Sequence, residues 1–332
     1  MWCKASRAPL VMPCKRTAIS RHGVAINYGG GGWKDSQTQY LLTVIDPLNA
    51  NQLLGIYGGV AAPTGSNTAT IGRATAPLSN PMAWTEYAGN PIVHDVVCRL
   101  TDSLISYEGT LYLYSTNLVD TGASFIELLT STDGGFTWTN RGTVLTPTGQ
   151  GRNDGYCVSQ AFVMLDGSNL YMYYSYRRSG ATLPGIRLAA GTVADFTSFT
   201  KQGAGDLWST GAGTAPDATY IEGCVVNKIG ATYLALYSGY NASVGTDGLW
   251  TINVASSSSP TGGWVKSALN PYFQPSYVAD APDATQIATP WTVLVNGVWW
   301  LYYQATMGRG SYTAMKWSLC GATLAGSPLD VI

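Results

Sequence analysis

The chain has 332 residues, 45% hydrophobic and 11% charged, which is enough to bury a large core. Its formal net charge is −1, from 18 Lys+Arg and 19 Asp+Glu with no basic block, so nucleic acid is not an expected partner. No apolar run reaches the roughly 18 residues of a membrane span, and two His with six scattered Cys lack zinc-ligand spacing.

The opening MWCKASRAPLVMPCKRT lacks the long apolar segment of a signal peptide. A secreted or extracellular monomer is still expected, with its leader removed or exported by another route. Residues 1–34 read as an N-terminal arm with a strand that could close a ring. After it, an apolar-aromatic strand recurs five times: LLGIYGG from Leu53, LYLYST from Leu111, LYMYYS from Leu170, YLALYSG from Tyr233 and WWLYYQA from Trp299. The starts lie 58, 59, 63 and 66 residues apart. Each is preceded by a turn and another apolar strand, the last turn being Asn296-Gly297, a hairpin signal. Each is followed by a polar loop and a third strand, such as FIELLTST or GLWTINVA, and usually by a short Trp/Phe-Thr/Lys segment.

Such a four-stranded antiparallel unit cannot bury both faces alone, and stacking around an axis leaves few exposed edges. The fold class expected is all-β, a five-bladed β-propeller occupying residues 1–332 as one domain. STDGGFTW, Ser131 to Trp138, fits the Asp-box pattern S-x-D-x-G-x-T-W, a turn between outer propeller strands. Cys98, Cys157 and Cys224 sit in apolar strand contexts and read as buried thiols.

Two near-copies, APDATYIEGC from Ala215 and APDATQIATP from Ala281, keep one frame but differ where Glu222 faces Ala288. The innermost strands of a propeller run in one direction along the axis, so residues at their openings converge. Glu222 is therefore a functional candidate, while Asp217 and Asp283, inside the shared frame, tie loops. Other carboxylates ahead of inner strands are Asp35 in WKDS, Asp95 and Asp102 in the second unit and Asp154 in the third.

YIEGCVVNKIGATYLALYS resembles the glycoside hydrolase family 43 segment that reads E-G-P, apolar strand, K-x-x-G, Tyr-Tyr-Leu, Ser. WKDS resembles that family's R-D-P, with Ser36 in place of Pro. RNDGYCVSQAFVMLDG resembles its I-D-x-x-x-F-x-D-x-D-G. The resemblance implies an inverting glycosidase of the wider five-bladed superfamily, acting on arabinose- or xylose-containing glycans. Glu222 would be the general acid, Asp35 the general base and Asp154 the residue that raises the pKa of Glu222. The third acidic role stays open between Asp154, Ser159 and Asp102. Trp33, Tyr156, Tyr220 and Trp291 are candidate sugar platforms, and Arg99, Asp102 and Arg309 candidate hydroxyl ligands. No cofactor is required, although the analogy allows a Ca²⁺ ion in the central channel. The rival readings are a non-catalytic carbohydrate-binding propeller, such as an adhesin or phage tail component, and a sialidase, which needs six blades and an arginine triad.

Overall fold

The structure, a computed structural model, describes residues 19–29, 32–61, 69–93, 98–118, 123–148, 154–177, 185–203, 205–245, 247–308 and 316–324. The described residues form strands, turns and loops, without an α-helix. Strand β1 (Ile19–Ile26) comes first. A meander follows of β2 (Gln37–Asp46), β3 (Asn49–Val60), β4 (Ala69–Pro77) and β5 (Thr85–Glu86). The second comprises β6 (Cys98–Tyr107), β7 (Thr110–Leu118), β8 (Ser124–Ser131) and β9 (Thr139–Leu145). The third comprises β10 (Cys157–Asp166), β11 (Asn169–Arg177), β12 (Gly185–Thr192) and β13 (Asp195–Gln202), with β14 (Trp208–Ser209) beside β12. The fourth holds β15 (Tyr220–Ile229), β16 (Thr232–Asn241), β17 (Leu249–Ser257) and β18 (Val265–Lys266). The last holds β19 (Gln286–Val295), β20 (Val298–Thr306) and β21 (Ser318–Leu324), with β1 hydrogen-bonded to β21 as its fourth strand.

The second and third meanders share one nine-stranded sheet, joined by the parallel pair Cys157 and Ser124; the other three are separate four-stranded sheets. The first strands touch one another in the order β2, β6, β10, β15, β19, and β19 touches β2 again. This order explains the burial pattern. Strand β2 is buried over seven consecutive residues, because both of its faces and one edge meet neighbours. The peripheral strand β13, DFTSFTKQ, alternates and stays largely exposed. Short or polar outer strands such as β5, β13 and β18 are what a sheet edge requires to resist pairing with other chains.

Local sequence sets the turns. Asn296 and Gly297 both have positive φ, 50° and 79°, which joins β19 to β20 as the Asn-Gly pair foretold. The Asp box lies between β8 and β9. Asp133 accepts hydrogen bonds from Ser131 Oγ, the Phe136 and Thr137 amides and Thr137 Oγ1, and Trp138 Nε1 donates to Gly135 O. These donors hold the Asp133 carboxyl down at about 2.

A second pattern recurs in the second strand of every meander. Tyr57, Tyr114, Tyr174, Tyr237 and Tyr303 are all buried, and burial pushes each phenol pKa upward. Three of them donate to a carboxylate that stands ahead of the inner strand and is also held by a cation from the outer strand. Tyr237 and Lys266 bond Asp217 at 2.9 and 2.8 Å. Tyr303 and Arg21 bond Asp283 at 3.1 and 2.6 Å. Tyr174 and Lys201 bond Asp154 at 3.3 and 2.5 Å. In the first meander the charges are exchanged: Lys34 stands ahead of β2, and Glu86 on β5 accepts from Lys34 at 2.9 Å and Tyr57 at 2.5 Å. These ties fasten the outer strand of a meander to the entrance of its inner strand. The Arg21–Asp283 tie does so across 262 residues of sequence.

Candidate active site

Each inner strand carries a β-bulge near its start against its partner, and β2 has a second register shift at its end, between Ile45 and Asp46. The register breaks between Gln39 and Leu42, Thr101 and Ser103, Ser159 and Phe162, Glu222 and Cys224, and Ala288 and Trp291. Bulges re-aim side chains and recur next to functional sites. After the break come Tyr40, Gln160, Gly223 and Thr289, with φ of 50°, 51°, 45° and 52°. Such left-handed residues persist only where their surroundings hold them. Here the bulge amides of Gln160, Gly223 and Thr289 donate to Thr116, Ser175 and Ser238 of the preceding meander, at 2.8, 3.1 and 2.8 Å.

The bulges put five residues in equivalent register: Gln39, Thr101, Ser159, Glu222 and Ala288. Glu222 is the one carboxylate among them. The next residues, Tyr40, Asp102, Gln160, Gly223 and Thr289, together line a cavity of about 20 Å³, floored by Leu42, Cys224, Pro290 and Trp291. That is room for a water molecule. Five strands far apart in sequence therefore meet at one point.

Glu222 remains partly accessible at its place on β15. Its Oε2 accepts from Gln160 Nε2 at 3.2 Å, and the same amide nitrogen donates to Tyr40 OH at 2.8 Å. Surrounding protein raises the Glu222 pKa above the usual carboxylate range, opposed by the Gln160 hydrogen bond and the positive field of Arg177. A carboxyl whose pKa is raised by burial is shifted in the direction a general acid requires. Asp102 is more deeply buried. Its Oδ2 accepts from Thr116 Oγ1 at 2.5 Å, while Oδ1 has no hydrogen-bond partner. Burial pushes its pKa up to about 8, against the lowering effect of the hydrogen bond from Thr116. Asp102 is accordingly neutral at pH 7.

The other candidates fall elsewhere. Asp154 lies five residues ahead of Ser159, as Asp217 lies ahead of Glu222 and Asp283 ahead of Ala288. It is the tie residue of the third meander: Lys201 and Thr148 bond it, and they lower its pKa despite burial. Ser159 occupies the place in register with Glu222. Asp35 is exposed at the entrance of β2, four residues ahead of Gln39. Arg99 is buried in an ion pair with Glu127, beside Ser115. Trp33 packs on Tyr57 at 5.6 Å, over Gly59 and Gly72, where a Cβ would meet its ring at 2.3 and 2.5 Å. Trp291 is buried in the cavity floor, with Nε1 donating to Thr43 O at 3.2 Å. Tyr156 is half-buried at the entrance of β10. Tyr220, two residues before Glu222, is half-buried and stacks on Tyr240 at 5.5 Å and Trp250 at 6.5 Å. Asp95 and Arg309 lie outside the described residues.

Gln160, Tyr40 and Arg177 are site residues that the sequence reading passed over. Neutral side chains carry no motif, and Arg177 closes β11 in SYRRSG, which reads as loop. Among the described residues no group of three or more His, Cys, Asp or Glu could hold a metal. The cavity offers one carboxyl with amide and hydroxyl groups.

Known structures share this fold. The catalytic domain of a GH62 α-L-arabinofuranosidase from Coprinopsis cinerea superposes with a TM-score of 0.69 at 14% identity, over 93% of this chain and 97% of that one. The α-L-arabinofuranosidase PaAbf62A from Podospora anserina, in complex with cellotriose, gives 0.68 at 13% identity, over 94% and 98%. An exo-1,5-α-L-arabinanase from a bovine ruminal metagenomic library gives 0.58 at 14% identity, over 88% and 95%. No family model matches the sequence, and no curated protein matches it.

Proposed function

We propose that the chain is a five-bladed β-propeller glycoside hydrolase that cleaves arabinose- or xylose-containing glycans with inversion, using Glu222 as general acid. The cyclic contacts of the five inner strands support the ring, and the arabinose-active enzymes of like fold support the substrate class. The observation that carries the chemistry is Glu222 itself. It is the one carboxylate among five equivalent positions, partly accessible, with its pKa raised by burial.

In this reading Glu222 protonates the departing glycosidic oxygen. Inversion also needs an ionised carboxylate across the bond, roughly 6.5–9.5 Å from the acid, to take a proton from the attacking water. Asp35, exposed at the entrance of β2, is the proposed base. Asp154, Asp217 and Asp283 are committed to Lys201, Lys266 and Arg21. Of the three candidates for the third acidic role, Asp154, Ser159 and Asp102, Asp102 is the carboxyl that lines the cavity. Tyr220, on its stack with Tyr240 and Trp250, is the proposed sugar platform closest in sequence to the acid.

One observation favours a second reading, a sugar-binding propeller without hydrolysis. Gln39 and Ser159 are neutral where an inverting site would place further acids in register with Glu222. A panel of arabinans, arabinoxylans and aryl pentosides, with product anomers followed by proton NMR, separates the two. The hydrolase reading expects pentose released first as the inverted anomer, and loss of that release in Asp35→Asn. Binding of glycans without release of any sugar would establish the second reading.

A further inference from the structure

Of the five residues that ring the cavity, Gln160 is the one that reaches up to Glu222. Both hydrogens of its amide are engaged, one on Tyr40 OH and one on Glu222 Oε2. Its Oε1 is buried without a partner. A buried amide oxygen left unsatisfied costs stability, so packing alone does not account for this orientation. Fixing Glu222 does. With Oε2 accepting an N–H, the acidic proton of Glu222 resides on Oε1, and the carboxyl cannot turn freely.

The support continues one layer back. The Gln160 amide N–H donates to Thr116 Oγ1 at 2.8 Å, and that hydroxyl spends its own hydrogen on Asp102 Oδ2 at 2.5 Å. Ser175 and Ser238 hold the bulges of the fourth and fifth meanders, and among the described residues no carboxyl bonds either hydroxyl. Thr116 alone among these three hydroxyls has its direction fixed by an acid. The bulge that carries Gln160 is thus backed by a hydroxyl and a carboxyl in series, and it belongs to β10, which packs against the strand of Glu222.

We propose that Gln160 is the positioning residue of the general acid, and that Asp102 and Thr116 act through it as its support. This rests on the reading of Glu222 as the acid. Among the described residues, Arg177 on β11 sets a positive field at Glu222, and the titratable groups lining the adjoining cavity are Tyr40 on β2, Asp102 on β6 and Cys224 on β15. Gln160 acts beside them by one direct hydrogen bond to the ionised form. When Glu222 gives up its proton, that bond receives the new charge.

The test reads Glu222 without needing turnover. Carboxyl ¹³C NMR on glutamate-labelled protein, with Glu222→Gln identifying the signal, gives the midpoint of Glu222 in wild type, Gln160→Leu, Gln160→Asn and Thr116→Val. Loss of a hydrogen bond to a charged group should raise the midpoint by about one pH unit in Gln160→Leu. Gln160→Asn, one methylene shorter and still polar, should move it the same way, and Thr116→Val by less. Among variants that hydrolyse, kcat should fall about tenfold at little change in KM, with the alkaline limb of the pH profile displaced upward. An unmoved midpoint in both Gln160 variants, with hydrolysis intact, overturns this proposal and leaves the hydrolase standing. A moved midpoint in a protein that hydrolyses nothing upholds the contact and removes the hydrolase.

Discussion

Replacing Asp102 by Asn should change how stability depends on pH. In the native protein Asp102 holds its proton up to about pH 8. In an unfolded chain an Asp ionises near ~3.9. Between those limits the native state binds one proton more than the unfolded state. Stability from this group is fully present below pH ~4, falls by about 1.4 kcal/mol per pH unit, and is lost as pH rises through about 8. Between pH 5 and pH 7 the loss amounts to about 2.7 kcal/mol. Asn has nearly the same shape and does not titrate, and its carbonyl can accept the Thr116 hydroxyl. Urea unfolding of both proteins at pH 5, 6, 7 and 8 measures the difference. The variant should gain on wild type by about 2–3 kcal/mol from pH 5 to pH 7, with unchanged m-values. Parallel stability curves would refute the neutral Asp102 and with it the description of the cavity.

Three further substitutions probe the assignments. Asp154→Asn should cost about 1–3 kcal/mol of stability at pH 7, because it removes one member of a largely buried pair with Lys201. It should leave the pH profile of any hydrolysis in place, and since the pKa of Asp154 is lowered by its ties, wild type should lose this advantage as pH falls through the native Asp154 pKa. Arg21→Met should cost about 3 kcal/mol by leaving buried Asp283 without its cation, and limited proteolysis should then cut first near β1. Trp33→Ala should lower the melting temperature through lost packing on Gly59, Gly72 and Tyr57, while glycan affinity measured by calorimetry stays the same.

The repeat was legible because every meander repeats one apolar-aromatic strand with a hairpin ahead of it, and the buried tyrosines of the ties are part of that signal. The difference between Glu222 and Ala288 was legible because the two copies share a frame. The choice between Asp154, Ser159 and Asp102 was left open by the sequence for a physical reason. The β-bulges set which residue faces the axis, and a bulge has no composition of its own: Tyr40, Asp102, Gln160, Gly223 and Thr289 share a place in the ring and nothing in chemistry. Once the register is known, Asp154 counts back five residues to the same place as Asp217 and Asp283, and Lys34 fills it in the first meander with opposite charge. Trp33 and Trp291 were expected to meet sugar because they flank inner strands, yet glycines at positions 59 and 72 make room for the one, and Thr43 fixes the indole of the other.

The most direct test of the central claim is the rate of glycan cleavage by wild type and Glu222→Gln across leaving groups of graded acidity. A general acid contributes about 10²–10⁴-fold. The account predicts a loss of that size on natural glycans, shrinking as the aryl leaving group needs less protonation. Equal rates for the two proteins on arabinan or arabinoxylan would contradict it.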